Sequence, residues 1–154
     1  MYNEIDVASE KASLLSAMSC SKEQWILYHY MELILEPDSP IRKQDALSVI
    51  SSVARNNLGR RLAWDFFRGR YDVLKEQFGT SFAWRNVISA ITESFNTEFH
   101  LKEVTAFKES QSGNLGSGER AFEQGIEKVH SNIRWMNLNI PIITQWLRDQ
   151  NYLS

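Results

Sequence analysis

Residues 59–78 constrain the fold more than any other segment. Read as a helix, the segment carries apolar side chains on two sides. Leu62, Phe66 and Val73 lie on one side, and Trp64, Phe67, Tyr71, Leu74 and Phe78 on the other. A helix apolar on two sides must be covered on both. Interior members of a stacked helical array occupy that position.

The flanking segments also read as helices. A first helix spans Glu4 to Met18. Ser21-Lys22-Glu23-Gln24 has capping-box form and opens the run Trp25, Ile26, Leu27, Tyr28, Met31, Leu33, Ile34, Leu35, which ends at Glu36-Pro37. Ser39-Pro40 predicts the next start, with serine as cap and proline in the first turn. Ile41-Arg42-Lys43-Gln44-Asp45 follows, then an inward stripe of Ala46, Val49, Ile50 and Val53. Asn56-Asn57-Leu58-Gly59 ends that helix. Phe82 to Ser94 forms another, with Trp84, Val87, Ile88, Ile91 and Phe95 inward. Asn96 or Thr97 caps the next, which carries Phe99, Leu101, Val104 and Phe107. Ser110 to Gly118 reads as a loop. Ser117 is expected to cap a long helix with Phe122, Ile126, Val129, Ile133 and Met136 on one stripe. Gly125 inside it marks a close approach between helices. A last helix, about Ile140 to Gln150, would turn Ile143, Trp146 and Leu147 inward.

The expected fold is therefore all-α, with about eight helices and no strand. Starts near 21, 40, 60, 82, 97, 118 and 139 pair into hairpins of about 40 residues, the period of HEAT or armadillo arrays. We expect antiparallel helical hairpins stacked as a HEAT/armadillo-like superhelical array, in one domain over residues 1–154. No repeat consensus is visible, so a compact irregular bundle is the competing architecture.

The residues offer little chemistry. Seventeen Lys and Arg against nineteen Asp and Glu give a net charge of −2, which argues against nucleic acid as a partner. The arginines at 55, 60, 61, 68 and 70 read as a solvated helix face. One cysteine, Cys20, excludes an internal disulfide and reads as a small core or boundary residue. His29, His100 and His130 fall on three different helices with no ligand at metal-binding spacing. The glycines at 113, 116 and 118 follow no strand, so they make no nucleotide loop. The pairs Glu93/Glu98 and Glu119/Glu123 are ordinary helix-end charges. Residues 1–15 contain Glu4, Asp6, Glu10 and Lys11, unlike a signal peptide, and no apolar run is long enough to span a bilayer.

Six segments in order resemble the C-terminal helical domain of the aminopeptidase N family. They are residues 20–27 (Cys20 to Leu27), Ile41 to Ala46, Leu62 to Phe66, Phe95 to Glu98, Gly116 to Ala121 and Asn132 to Trp135. The resemblance runs from about Glu10 to Leu147. It implies membership of a family of zinc exopeptidases that remove N-terminal residues from peptides, many of them anchored at the extracellular face of the plasma membrane. The family's catalytic His-Glu-x-x-His and its Gly-x-Met-Glu-Asn loop do not occur in this sequence, so no catalytic or metal residue carries over, and zinc is implied only for the larger enzyme. The family's last domain closes a superhelical wall over the active site, and this chain resembles its second half. A chain that starts at Met1 without the catalytic domains is then expected to be a fragment, a truncated product or a partial gene product.

The implied partners are the upstream catalytic domain and a peptide substrate, with a homodimer also compatible. Lys43, Gln44, Asp45, Arg55 and Asn56 are candidate chamber-facing contacts to the peptide's distal end; the bland alternative is that they cap and join hairpins. A different class of function remains open, a stand-alone helical scaffold that binds another protein. It would leave an uncovered apolar face on the first helix, at Ile5, Val7, Ala8, Leu14 and Leu15.

Overall fold

The computed structural model describes residues 7–153. Within them the chain is all-α: α1 (Ala8–Met18), α2 (Gln24–Glu32), α3 (Ala46–Arg55), α4 (Arg60–Gly69), α5 (Tyr71–Phe78), α6 (Phe82–Thr92), α7 (Glu98–Ser110) and α8 (Glu119–Asp149). Short 3-10 turns at Leu33–Leu35 and Gly116–Gly118 extend α2 and introduce α8. The described residues contain no strand.

The helices stand in two ranks. In one, α1 packs on α3, α3 on α6 and α6 on α8. In the other, α2 packs on α4, and α4 meets α7 through rings and ion pairs. Trp64 and Phe67 of α4 lie edge-on to Phe107 of α7 at 5.5 and 6.3 Å. Arg61 of α4 is paired to Glu103 of α7, and Arg68 Nη1 lies 3.3 Å from the same carboxylate. The arginines at 61, 68 and 70 are thus ion-paired rather than merely solvated, Arg70 to Glu32 of α2 at 3.1 Å.

The ranks meet in one continuous core. Phe67 is its hub, in ring contact with Tyr71, Trp84, Phe107 and Phe122. The expected inward residues of α3 (Ala46, Val49, Ile50, Val53) are all buried, as are Trp84, Val87, Ile88, Ile91 and Phe95 around α6. Thr97 caps α7 as expected, its hydroxyl accepting the His100 N–H. Gly125 also has the expected role. A Cβ there would lie 2.7 Å from Thr92 Oγ1 and 3.2 Å from Thr92 Cβ, so α8 can approach α6 only through glycine.

Several boundaries differ from expectation. The Ser39-Pro40 start does not open a helix. The Ser39 hydroxyl accepts the Ile41 N–H at 3.1 Å in a local turn, and α3 begins only at Ala46. The Ser21 capping box gives way to a similar turn, with Ser21 Oγ accepting from Glu23 N–H while Gln24 reaches across to Leu58 O. Ser and Thr side chains readily make such local bonds instead of caps. The two-faced segment is two helices broken at Arg70, whose φ of −114° and ψ of 14° leave the helical region. Gly69, a poor helix former, precedes the break.

Ser117 does not cap α8. Its hydroxyl donates to Gly79 O, and Gly118 takes the cap position. The expected break before a last helix is absent, because α8 runs through Pro141 to Asp149. Pro141 removes one helical N–H. This part of α8 is exposed, so water can reach the carbonyl left without that donor. Ile143 and Trp146 are exposed rather than inward, and so are Trp25, Ile26 and Phe99. Cys20 is exposed too. Of the face expected on the first helix, Leu15 is buried, Val7 is exposed and Ile5 lies outside the described residues. The first helix was expected from Glu4, which also lies outside them.

Candidate functional site

The five candidate contacts divide between the two ends of α3. A ten-residue helix separates them by about 15 Å. At the N-terminal end, Lys43 and Gln44 are exposed and edge a shallow hollow with Leu47, Gln77 and Phe78. Asp45 is half-buried and ion-paired to Arg42 Nε at 2.6 Å. At the C-terminal end, Arg55 is exposed and Asn56 is half-buried. The structure therefore does not bring the five together into one cluster.

Asn56 is fully engaged. Its amide nitrogen donates to Ser19 O at 2.7 Å and Ser21 O at 2.8 Å, and its oxygen accepts the Leu58 N–H at 2.9 Å. It locks the α1–α2 turn to the α3–α4 turn. Asn132 of α8 repeats the arrangement. Its amide donates to Glu93 O at 2.9 Å and Phe95 O at 2.8 Å in the α6–α7 turn. The two clamps span 37 and 35 residues in the first case, and 39 and 37 in the second. The same kind of clamp thus occurs at two separate pairs of turns. Asn132 escaped the sequence reading because an asparagine within a helical run carries no local signal of the turn it will hold.

Beside the first clamp lies an open hollow of about 650 Å³ between the α1–α2 and α3–α4 turns. Lys22, Arg55, Ser16 and Ser52 contribute to its wall. Near the second clamp, His100 stacks on Phe95 with ring centroids 4.4 Å apart. Its Nδ1 faces the Asn96 N–H and lies 2.9 Å from Thr97 Oγ1. Burial, reinforced by Arg61 and Arg60, holds this imidazole below the ordinary histidine value, with Glu103 opposing. Tyr71, buried and beside Asp72, is pushed up to about 12, and its hydroxyl donates to Asn114 O. Both groups make their polar contacts within the structure.

The residues present do not fit a zinc ion. Among the described residues, no three His, Cys, Asp or Glu side chains come together in a way that could hold a metal. His29, His100 and His130 sit on α2, α7 and α8. No helix among the described residues is long and apolar enough to cross a membrane.

Fold and site together define an all-α domain packed around one continuous core. Residues 1–131 match the model of the ERAP1-like C-terminal domain, and the chain belongs to that family. It is 44% identical over 155 residues to aminopeptidase Ey of Gallus gallus, covering 99% of this chain and 16% of that protein. Aminopeptidase N of Canis lupus familiaris is 40% identical over 152 residues, 97% of this chain and 16% of the relative. The thyrotropin-releasing hormone-degrading ectoenzyme of Rattus norvegicus is 37% identical over 147 residues, 95% of this chain and 13% of its own length. The chain thus spans about a sixth of the curated relatives it matches.

Proposed function

We propose that this chain is the chamber-closing C-terminal part of a zinc-dependent aminopeptidase that removes N-terminal residues from peptides. The observation that carries this reading is the near-complete match of the chain to about a sixth of proteins named aminopeptidases. In this reading the zinc and the reacting groups belong to the upstream catalytic domain, and this chain holds no catalytic residue. The two ranks continue as a superhelical wall that limits which peptides reach the chemistry. Lys43, Gln44, Asp45, Arg55 and Asn56 are proposed to meet the peptide's distal end, Asn56 chiefly by shaping the turn that presents Arg55. The relative named as an ectoenzyme supports placing the assembled protein at the extracellular face of the plasma membrane, and a homodimer is compatible with the reading.

A chimera tests the proposal. This chain replaces the matched segment of Gallus gallus aminopeptidase Ey, and cleavage of peptides of increasing length is assayed. Retained turnover with an altered length preference is the expected result. Turnover by the isolated 154-residue chain with added zinc would sink the reading.

A second reading, a protein-binding scaffold, is favoured by the end of α8. Trp135, Leu138, Ile142 and Trp146 are each more than half exposed along one side of it. Exposed apolar stripes of this kind mark interaction surfaces.

A further inference from the structure

Beyond Ile133, the last buried residue of α8, the helix turns apolar side chains to solvent. Trp135, Leu138, Ile142 and Trp146 recur at i, i+3, i+7 and i+11, which places them on one side. Each is more than half exposed, and Ile140, Ile143, Tyr152 and Leu153 add exposed apolar surface beside them. The Trp146 and Tyr152 rings lie 6.3 Å apart. α8 is the last member of its rank, at the opposite end from α1. Helices that extend the array ahead of α1 would therefore stack elsewhere and leave this face open.

Charge says what the face suits. Residues 128–148 contain Lys128, Arg134 and Arg148 and no Asp or Glu, in a chain with a net charge of −2. Arg134 and Arg148 are exposed, and among the described residues neither holds an ion pair, unlike Arg61, Arg68 and Arg70. They bracket an uncharged stretch, residues 135–147. At 3.6 residues per turn, Asn137, Thr144 and Arg148 fall on the side away from the tryptophans, with Arg134 at its border. Pro141 lies on the polar side as well, so the carbonyl it leaves without a donor, that of Asn137, is not on the apolar side.

An apolar side with tryptophans and a polar side with arginines and no carboxylate is the pattern of a helix that lies in a membrane surface. Trp and Tyr rings settle at headgroup level, and Arg side chains reach out to the phosphates. The uncharged stretch is well short of the roughly 20 residues a spanning helix needs, so the helix lies along the surface. Aromatic rings near both ends of the stretch and the lack of any acid favour lipid over the protein partner of the second reading above.

We propose that the C-terminal half of α8 docks on a phospholipid bilayer. The side carrying Trp135, Leu138, Ile142 and Trp146 is immersed at headgroup depth, and Arg134 and Arg148 sit on lipid phosphates. The proposal goes beyond the aminopeptidase reading and does not depend on it.

Co-sedimentation of the 154-residue chain with vesicles of phosphatidylcholine, alone and with added phosphatidylglycerol, tests it. The chain should bind both, more tightly with phosphatidylglycerol, and its tryptophan emission should shift to the blue on binding. Ile142→Asp should weaken binding to either vesicle roughly tenfold. Arg134→Gln and Arg148→Gln should each weaken binding to the phosphatidylglycerol vesicles about fivefold. Phe82→Asp, at an exposed apolar position at the start of α6, should leave binding unchanged. Unchanged denaturation midpoints show that the variants are folded. No binding to either vesicle, or binding that Phe82→Asp weakens as much as Ile142→Asp does, would overturn the proposal. So would a dimer in analytical ultracentrifugation that Ile142→Asp dissociates while the vesicles stay unbound, since the face would then belong to a second copy.

Discussion

At the scale of single residues, side chains that bridge distant segments carry more than those that cap their own helix. Asn56 and Asn132 each hold two backbone carbonyls of an earlier turn. Asn→Ala at either position leaves half-buried carbonyls unpaired, at a cost of about 1–3 kcal/mol. Denaturant titration checks this, and an unchanged midpoint in both variants would show that water replaces the clamps. Gly125→Ala should also destabilise, by about 1–3 kcal/mol, because its Cβ meets Thr92. Thr92→Ala removes the hydroxyl and methyl facing that position, so the double variant should be more stable than the sum of the single losses; strict additivity would mean the contact is relieved elsewhere. His100 gives a pH dependence. Its folded value lies below the ordinary 6.5, chiefly through burial, so the native state disfavours the proton. Stability is full above the ordinary histidine value and falls as pH drops below it, levelling beneath the folded value. His100→Gln should remove this component from a stability–pH curve; a curve of unchanged shape would assign the slope to other groups.

At the scale of elements, the hydrophobic period was readable and the punctuation was not. The stripes of α3 and α6 follow from 3- and 4-residue spacing alone, because a buried face leaves a periodic mark. The serines at 21, 39 and 117 all look like caps. Each instead bonds a local turn or a distant carbonyl, a choice set by tertiary neighbours. The two-faced segment is buried along Trp64, Phe67, Tyr71, Leu74 and Phe78, but on its other side Phe66 is buried and Val73 exposed, and the segment breaks into two helices at Arg70. Pro141 signals a helix end in sequence, yet α8 passes through it where the helix is solvated. The candidate contacts at 43–45 and 55–56 were visible as polar residues at helix ends. Which of them the fold ties up was not, since the Asp45–Arg42 pair and the Asn56 bonds to the Ser19 and Ser21 carbonyls are set by the folded turns. A contrast follows for α8 and α6. Ile142→Asp, at a position 68% exposed, should shift stability by no more than about 0.5 kcal/mol. Ile88→Ala, at a fully buried position, should cost about 2–5 kcal/mol. A large loss from Ile142→Asp would mean that the end of α8 is covered in solution.

At the scale of the whole molecule, the two ranks share one core instead of forming separate hairpins. The hub at Phe67 touches α5, α6, α7 and α8 side chains from a single position on α4. Repeat arrays stabilised only by nearest-neighbour contacts can unfold in pieces. A ring cluster that ties four helices to a fifth opposes this, because no hairpin can leave without exposing aromatic surface on the others. Unfolding of the chain should therefore be a single transition. Phe67→Ala should lower stability by about 3–5 kcal/mol, and it should shift far-UV dichroism and tryptophan fluorescence by the same amount, since Trp64 and Trp84 are both fully buried in the same core. The exposed Trp25, Trp135 and Trp146 contribute a signal less sensitive to burial, so the comparison rests on the change in emission maximum. Separation of the two probes in Phe67→Ala alone would mean that the variant no longer unfolds in one transition, against this expectation. If they separate in the parent chain as well, the α1–α4 and α6–α8 halves melt independently, and the shared core does not make the array cooperative.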